Sequence, residues 1–275
     1  MRRRDAVLLD GSIGAGELYS DLLIAGAIRR RAKRIVISDA TWKRGRLLDR
    51  TLMSAGLRAI DSPRTIYCVL SSDELASFPR TWHIDPSRIV FTPFCYTLTD
   101  EELATPAFED GGIFAGGDSM RNYDLLLEAI KALPAQVTIA SSMLAGRGLP
   151  DNVTVRSVAH VEFVRLMCRA SLVVVPLQTA ERSAGQQTYL NAMALGKLVV
   201  VTDAPGVRDY VQDHVTGLVV PPSDAQALNL AISWGLDRHN ADEVNAIRTR
   251  AREVARANYS PDTYFQRILD VALDA

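Results

Sequence analysis

No stretch of this sequence offers the roughly eighteen consecutive apolar residues that a membrane-spanning helix needs. The longest uncharged run, Ala132 to Gly146, is fifteen residues long and contains Pro134, Gln136 and two serines, so the chain is not expected to cross a bilayer. Cysteine is scarce. Cys68, Cys95 and Cys168 are odd in number, far apart and set in apolar runs, the pattern of buried thiols rather than of a disulfide framework. There is no Cys-x-x-Cys, and His83, His160, His214 and His239 suggest neither a metal pair nor a catalytic dyad, so no structural metal is expected. Arg2, Arg3 and Arg4 are followed by Asp5 and Asp10 instead of an apolar core segment. No secretory leader is read, and a cytoplasmic protein is expected.

Net charge is also nearly absent, at −1, and the 48% hydrophobic and 23% charged shares are ordinary for globular chains. A length of 275 residues exceeds one typical domain and implies two. The charge is unevenly spread, however. Residues 1–50 hold twelve Lys and Arg against six Asp and Glu, and Arg29 to Arg50 carries nine bases against Asp39 and Asp49. Such a run suits an anionic membrane surface, at about 1 kcal/mol per base near lipid, or a phosphorylated acceptor. A solvated helix end followed by a loop is the equal alternative.

Short β-branched runs alternate with helical patterns, which indicates parallel sheets covered by helices. In the first part strands are expected at Ala6 to Leu9, Arg34 to Ser38, Arg64 to Leu70 and Ile89 to Pro93, with helices over Glu17 to Arg31 and Arg46 to Leu57. The acidic segment Thr97 to Asp110, broken by Pro106 and ending at Gly111-Gly112, reads as the domain boundary. Beyond it strands are expected at Ile113 to Ala115, Gln136 to Ala140, Val153 to Arg156, Leu172 to Pro176, Leu198 to Thr202 and Leu218 to Val220. Val173 to Val175 and Val199 to Val201 lack polar alternation and should be central. Helices are expected near Asn122 to Leu133, Val161 to Ala170, Gln186 to Leu195, Ala225 to Gly235, Ala241 to Ala257 and Pro261 to Leu273.

Ligands of open parallel sheets bind beyond the carboxyl ends of the strands. The loop after Pro176 runs through Ser183-Ala-Gly185-Gln-Gln-Thr188 into a helix closed by Gly196. Gly185 removes a Cβ, and the free amides near Gln186, Gln187 and Thr188 would face an anion such as a phosphate. The competing reading is a tight loop with Ser183 as a helix cap. A second turn, Gly116-Gly117-Asp118-Ser119-Met120-Arg121, offers a close approach and a guanidinium able to grip phosphate oxygens; a capped surface turn is at least as consistent with it. Asp10-Gly-Ser-Ile-Gly-Ala-Gly-Glu17 is glycine-rich but lacks GxGxxG spacing. Asp39, Thr41 and Trp42 end the next strand and read better as a capping Asp with a core Trp than as a sugar platform.

The sequence from Asn152 through Ile232, with SAGQQTYLNAMALGKLVVVTDAPGVRDYV and DHVTGLVVPPSDAQAL, resembles the C-terminal lobe of GT-B glycosyltransferases, most closely the retaining enzymes of glycosyltransferase family four. FAGGDSMRNYDLLLEAI is similar to the turn and helix that open that lobe. The resemblance implies an α/β protein with two doubly wound Rossmann-like domains, the N-terminal one abbreviated. Residues 1–107 would form the acceptor-side domain and 108–258 the nucleotide-sugar-binding domain, with the helix over 261–275 packing back on the first.

The resemblance further implies a donor site of Gly116, Gly117, Val158, Gly185, Gln186, Gln187, Thr188 and Asn191, with Arg121, Ser183 and Asp10 at the reacting centre. Family members usually carry two glutamates separated by seven residues; the matching positions here are Ser183 and Asn191, and Asn191 can hydrogen-bond a ribose without supplying a carboxylate. The implied reaction is transfer of a sugar, with retained configuration, from a nucleoside diphosphate sugar to an unidentified acceptor. No Asp-x-Asp occurs, so no metal and no further cofactor is expected. Besides the donor and acceptor, an anionic membrane surface, a second copy or a partner subunit are candidate partners, and nucleic acid is not. A non-catalytic nucleotide-sugar binder, or a subunit of a split transferase, is the alternative reading.

Overall fold

A computed structural model describes residues 4–11, 24–42, 54–58, 61–105, 112–179 and 182–273. The chain divides into two compact units, one of Met1–Phe94, Glu181–Ser183 and Asp262–Ala275, the other of Cys95–Ala180 and Ala184–Pro261. The passage between them at Phe94 and Cys95 precedes the expected boundary, which falls among residues 106–111, outside the described ones.

The first unit holds a parallel sheet in the order β1 (Arg4–Asp10), β2 (Ala32–Ser38), β3 (Thr65–Val69) and β4 (Ile89–Phe91). Ile35, Val36 and Ile37 of β2 and Tyr67, Cys68 and Val69 of β3 are buried, as suits β-branched and aromatic residues on a sheet covered on both faces. The helices expected over Glu17 to Arg31 and Arg46 to Leu57 lie largely outside the described residues, and their described parts, 24–28 and 54–58, are helical.

Helix α1 (Glu74–Trp82) was not expected. Pro79 inside it removes one backbone donor and masks the helical pattern. The helix forms because Phe78 and Trp82, four residues apart, join Trp42 and Tyr67 in an aromatic cluster with ring centroids 5.4 to 6.4 Å apart, so tertiary packing overrides propensity. Trp42 is therefore a core residue and not a sugar platform. Gly11 follows β1 and donates its amide to the Ser38 carbonyl at 2.7 Å. A Cβ there would sit 2.7 Å from that same oxygen.

The second unit begins with short helix α2 (Asp100–Ala104), opened by a Thr99–Glu102 capping box within the segment read as the domain boundary. Its six-stranded parallel sheet runs β10-β9-β8-β5-β6-β7, with β5 (Ile113–Gly116), β6 (Val137–Ala140), β7 (Val153–Arg156), β8 (Leu172–Val175), β9 (Leu198–Thr202) and β10 (Leu218–Val220). Every residue of β8 and β9 is buried, which accounts for their unbroken valine runs. The order of winding reverses between β5 and β8, and the carboxyl edge there is the switch point of the fold.

Helices α3 (Tyr123–Ala129), α4 (His160–Arg169), α5 (Gln186–Ala194), α6 (Ala225–Leu236) and α7 (Ala241–Asn258) belong to this unit. Helix α8 (Pro261–Leu273) is counted with the first from Asp262 onward. There it buries Tyr264, Ile268 and Ala272 on one stripe. No helix of the described residues is long and apolar enough to cross a membrane.

Candidate functional site

At the switch point the loops after β5 and β8 are laced together. Arg121 and Leu177 form an antiparallel bridge, the Asn122 amide donates to Pro176 O at 2.8 Å, and the Gln178 amide donates to Met120 O at 2.9 Å. The Gln178 side chain adds a bond to Arg121 O at 2.9 Å. These bonds fix the glycine turn against the loop that follows β8.

Arg121 is only 3% exposed. Its Nε donates to Gly116 O at 2.9 Å, Nη1 to Ser119 O at 2.7 Å and Nη2 to Thr188 Oγ1 at 2.9 Å. All three acceptors are neutral, and no carboxylate lies within ion-pair distance among the described residues. Burial accordingly pushes the pKa of the guanidinium down, and the nearby phenols of Tyr123 and Tyr189 and the Asp118 carboxylate offset this only in part. A guanidinium has five donors, so two remain. Arg121, read in the sequence as a guanidinium able to grip phosphate oxygens, is built into the wall of the turn and bonded to Thr188.

The two glycines are needed for packing. A Cβ on Gly116 would lie 2.4 Å from the Phe163 ring, and one on Gly117, at φ +97, would lie 2.8 Å from Arg121 Nη2. Asp118 accepts from Ser142 Oγ at 2.6 Å, from Ser142 N at 3.1 Å and from Ser141 Oγ. Burial works against its charge, but the serine bonds outweigh that and hold its pKa below the usual carboxylate value.

Helix α5 has two unlike ends. Its carboxyl end is answered by Arg256 Nε on Ala194 O at 3.1 Å and Arg248 Nε, just beyond, on Gly196 O at 2.7 Å, cations where the dipole is negative. At its amino end Gly185 is the N-cap, at φ 91, with no side-chain cap. The amides of Gln186, Gln187 and Thr188 receive no acceptor among the described residues. The buried Gln186 Nε2 also lacks a partner. The amino end of α5 thus carries unanswered amides and an unpartnered Gln186 Nε2, with the buried Arg121 guanidinium bonded to Thr188 in its first turn.

The remaining expected residues lie elsewhere or are already engaged. Asn191 is 1% exposed; its Oδ1 accepts from Thr97 N at 2.8 Å and its Nδ2 donates to Thr97 Oγ1 at 3.2 Å. Gln187 Nε2 reaches the same hydroxyl at 2.9 Å. The side chain read as a ribose contact therefore holds the segment that leads into α2. Val158 is half-buried in the loop after edge strand β7, and none of the bonds of the Arg121 cluster involves it.

Ser183 and Asp10 belong to the first unit. Ser183 Oγ donates to Glu74 Oε2 at 3.0 Å and its amide to Oε1 at 3.4 Å, so the expected catalytic hydroxyl is committed to a carboxylate that sequence reasoning missed. Burial raises the Glu74 pKa, opposed by the Ser183 bonds. Nothing in the sequence flags a pair 109 residues apart. Asp10 ends edge strand β1, exposed, beside Ser38. Its neighbour Asp39, in the left-handed region at φ 49, accepts a hydrogen bond from the Tyr264 hydroxyl. Burial lifts the Asp39 pKa to about 6, Tyr264 opposes, and the Asp10 charge adds a little.

Two Rossmann-like units, the second with its phosphate-suited helix end at the switch point, define the fold of the GT-B glycosyltransferases. Residues 112–238 match the family described as Glycosyl transferases group 1. Among curated proteins, the alpha-D-kanosaminyltransferase of Streptomyces kanamyceticus is 31% identical over 96 residues, which are 34% of this chain and 24% of that one. The chain thus spans about a quarter of the length of that relative. Among solved structures, Anabaena HepE in complex with UDP superposes with a TM-score of 0.73 at 15% identity, covering 98% of this chain and 79% of that one. A glycosyltransferase from Rickettsia africae gives 0.67 at 15%, covering 94% and 81%.

Proposed function

We propose that this chain transfers a sugar from a nucleoside diphosphate donor, and that the donor diphosphate binds at the amino end of α5. The observation that carries this reading is the Arg121 guanidinium, buried with no carboxylate in ion-pair contact among the described residues, and bonded to the first turn of a helix whose first three amides are unanswered. A buried charge with no counter-charge is disfavoured by several kcal/mol, and a diphosphate would supply the missing anion while using the dipole. Arg121 then acts chiefly by fixing Thr188 and by its field. The match to group 1 glycosyl transferases supports sugar transfer, and the UDP held by the structurally similar HepE makes a uridine diphosphate sugar the first donor to test. Retained configuration, from the sequence resemblance, and independence from metal, from the absence of Asp-x-Asp, stand as parts of the proposal, as does a cytoplasmic setting.

The test is calorimetric titration with UDP-, GDP-, ADP- and TDP-sugars in the presence of a chelator, followed by assay of nucleoside diphosphate release. Saturable binding of one class that Thr188→Val weakens is expected. Absence of binding by all four would end the reading. A second reading, a nucleotide-sugar binder or one subunit of a split transferase, is favoured by the engagement of Ser183 and Asn191 within the protein. It predicts binding without release of diphosphate until a partner is added.

A further inference from the structure

At the amino edge of the second sheet, the end remote from Arg121, lies a cavity of about 610 Å³. Ser171 just before β8 borders it, Ser233 and Leu236 come from the last turn of α6, and Val244, Asn245 and Arg248 form one stripe along α7. The walls are pinned by bonds of the protein's own. Asn152 Nδ2 donates to the carbonyls of Leu133 and Ala135 at 3.2 and 2.9 Å, the Ser171 amide to Gly112 O at 2.8 Å, and Asn240 Nδ2 to Trp234 O at 3.0 Å. Gly235 seats the end of α6 against β9, since a Cβ there would lie 2.6 Å from Leu198 Cδ2. The lining carries a net positive charge. Arg238 and Arg248 face one carboxylate, Asp237, and that group is committed to His239, meeting its amide at 2.9 Å and its Nδ1 at 2.8 Å. Asp242 and Glu243, exposed on the first turn of α7, lie off the lining stripe. Arg248 is half-buried with its Nε held on Gly196 O at 2.7 Å, so this guanidinium is ordered before any ligand arrives. Among the described residues, the side chains of Ser171, Ser233, Arg238 and Asn245 have no hydrogen-bond or ion-pair partner.

We propose that this cavity is a second ligand site, separate from the amino end of α5, and that it takes a small organic acid. The apolar body of the ligand would lie against Leu133, Leu236 and Val244, and its anionic group would be received by Arg238 and Arg248. A preformed space of several hundred Å³ with an apolar lining and a few polar groups is what small-molecule sites offer. A guanidinium fork fits a carboxylate two bonds at a time. The two arginines disfavour a cationic occupant, and a neutral one would leave them without a counter-charge. The inference does not depend on sugar transfer, since binding is read without donor.

The full chain is titrated, by fluorescence and calorimetry, with anilinonaphthalene sulfonate, an aromatic body bearing one anionic group, and with phenylnaphthylamine, the same body without it. Saturable binding of the sulfonate, about tenfold tighter than that of the neutral dye, is expected. Arg238→Gln should weaken it about tenfold. Ala241→Trp, which fills the cavity from the exposed start of α7, should abolish it, while Arg165→Gln, on α4 and outside the cavity, should leave it unchanged. Arg238 and Ala241 are both exposed, so the variants should fold, and circular dichroism with thermal unfolding checks each. The proposal is overturned if the parent chain binds neither dye, if it binds the two equally, if UDP displaces the sulfonate competitively, or if either folded cavity variant binds as the parent does.

Discussion

The Arg121 guanidinium donates to the Thr188 hydroxyl across 67 residues of sequence, at 2.9 Å and with both residues buried. This bond joins the glycine turn after β5 to the first turn of α5, so the two loops that flank the switch point cannot shift independently.

Thr188→Val keeps the shape of the side chain and deletes the acceptor. One donor of a buried cation is then unsatisfied, which should lower stability by about 1–3 kcal/mol, and donor affinity should fall roughly tenfold if the helix amides lose their alignment. Thr188→Ser should restore both. Arg121→Lys should not, because one ammonium cannot reproduce a fork that serves Gly116, Ser119 and Thr188 together. Urea unfolding and calorimetry check the set; full affinity in Thr188→Val would separate this bond from donor binding.

Gly117→Ala tests the turn itself. Its φ of +97 disfavours any side chain and a Cβ would meet Arg121 Nη2 at 2.8 Å, whereas Gly146, at φ +77, has nothing within 4 Å of its would-be Cβ. Both substitutions carry a backbone cost of about 1–2 kcal/mol, but only Gly117→Ala should also displace the guanidinium and weaken donor binding. Thermal shift with and without donor separates the two effects.

Much of the second unit was legible because its strands are short β-branched runs bounded by Gly, Pro and polar turns, and because Gly185 and Gly196 mark the ends of α5. The turn glycines were found, but for reasons that differ from the structural ones: Gly116 accommodates Phe163 and Gly117 accommodates Arg121. Pairings between distant residues were not legible. The Asn191–Thr97 and Ser183–Glu74 contacts span 94 and 109 residues, and no local pattern encodes them. Helix α1 was hidden by Pro79, whose local cost is outweighed by packing of Phe78 and Trp82 that only the assembled unit provides.

Asn191 offers a direct contrast between positioning and ligand contact. Asn191→Ala leaves the Thr97 amide without its acceptor and should cost about 1–3 kcal/mol of stability, with donor affinity changed by less than about threefold, since a group that does not touch the donor should contribute little to it. Denaturant unfolding and titration calorimetry are the measurements. A large loss of affinity at unchanged stability would instead place the side chain on the donor.

Asp39 gives the first unit a distinctive pH dependence. Its pKa is raised by burial from 3.8 to about 6, so folding favours the neutral carboxyl. The stability this group contributes is complete below about pH 4 and is lost as the pH rises through about 6, where the folded chain must hold a charge that the unfolded chain hydrates freely; a shift of about two pKa units corresponds to about 3 kcal/mol. Asp39→Asn removes the charge, still accepts from the Tyr264 hydroxyl, and suits the left-handed φ of 49. The variant should therefore be more stable than the parent by about 2–3 kcal/mol near pH 7.5 and indistinguishable from it near pH 4. Urea unfolding at the two pH values provides the check. A gain of equal size at both would point to a cause other than the buried carboxylate, and a loss at the higher pH would mean that the Tyr264 bond stabilises the ionised form more than burial opposes it.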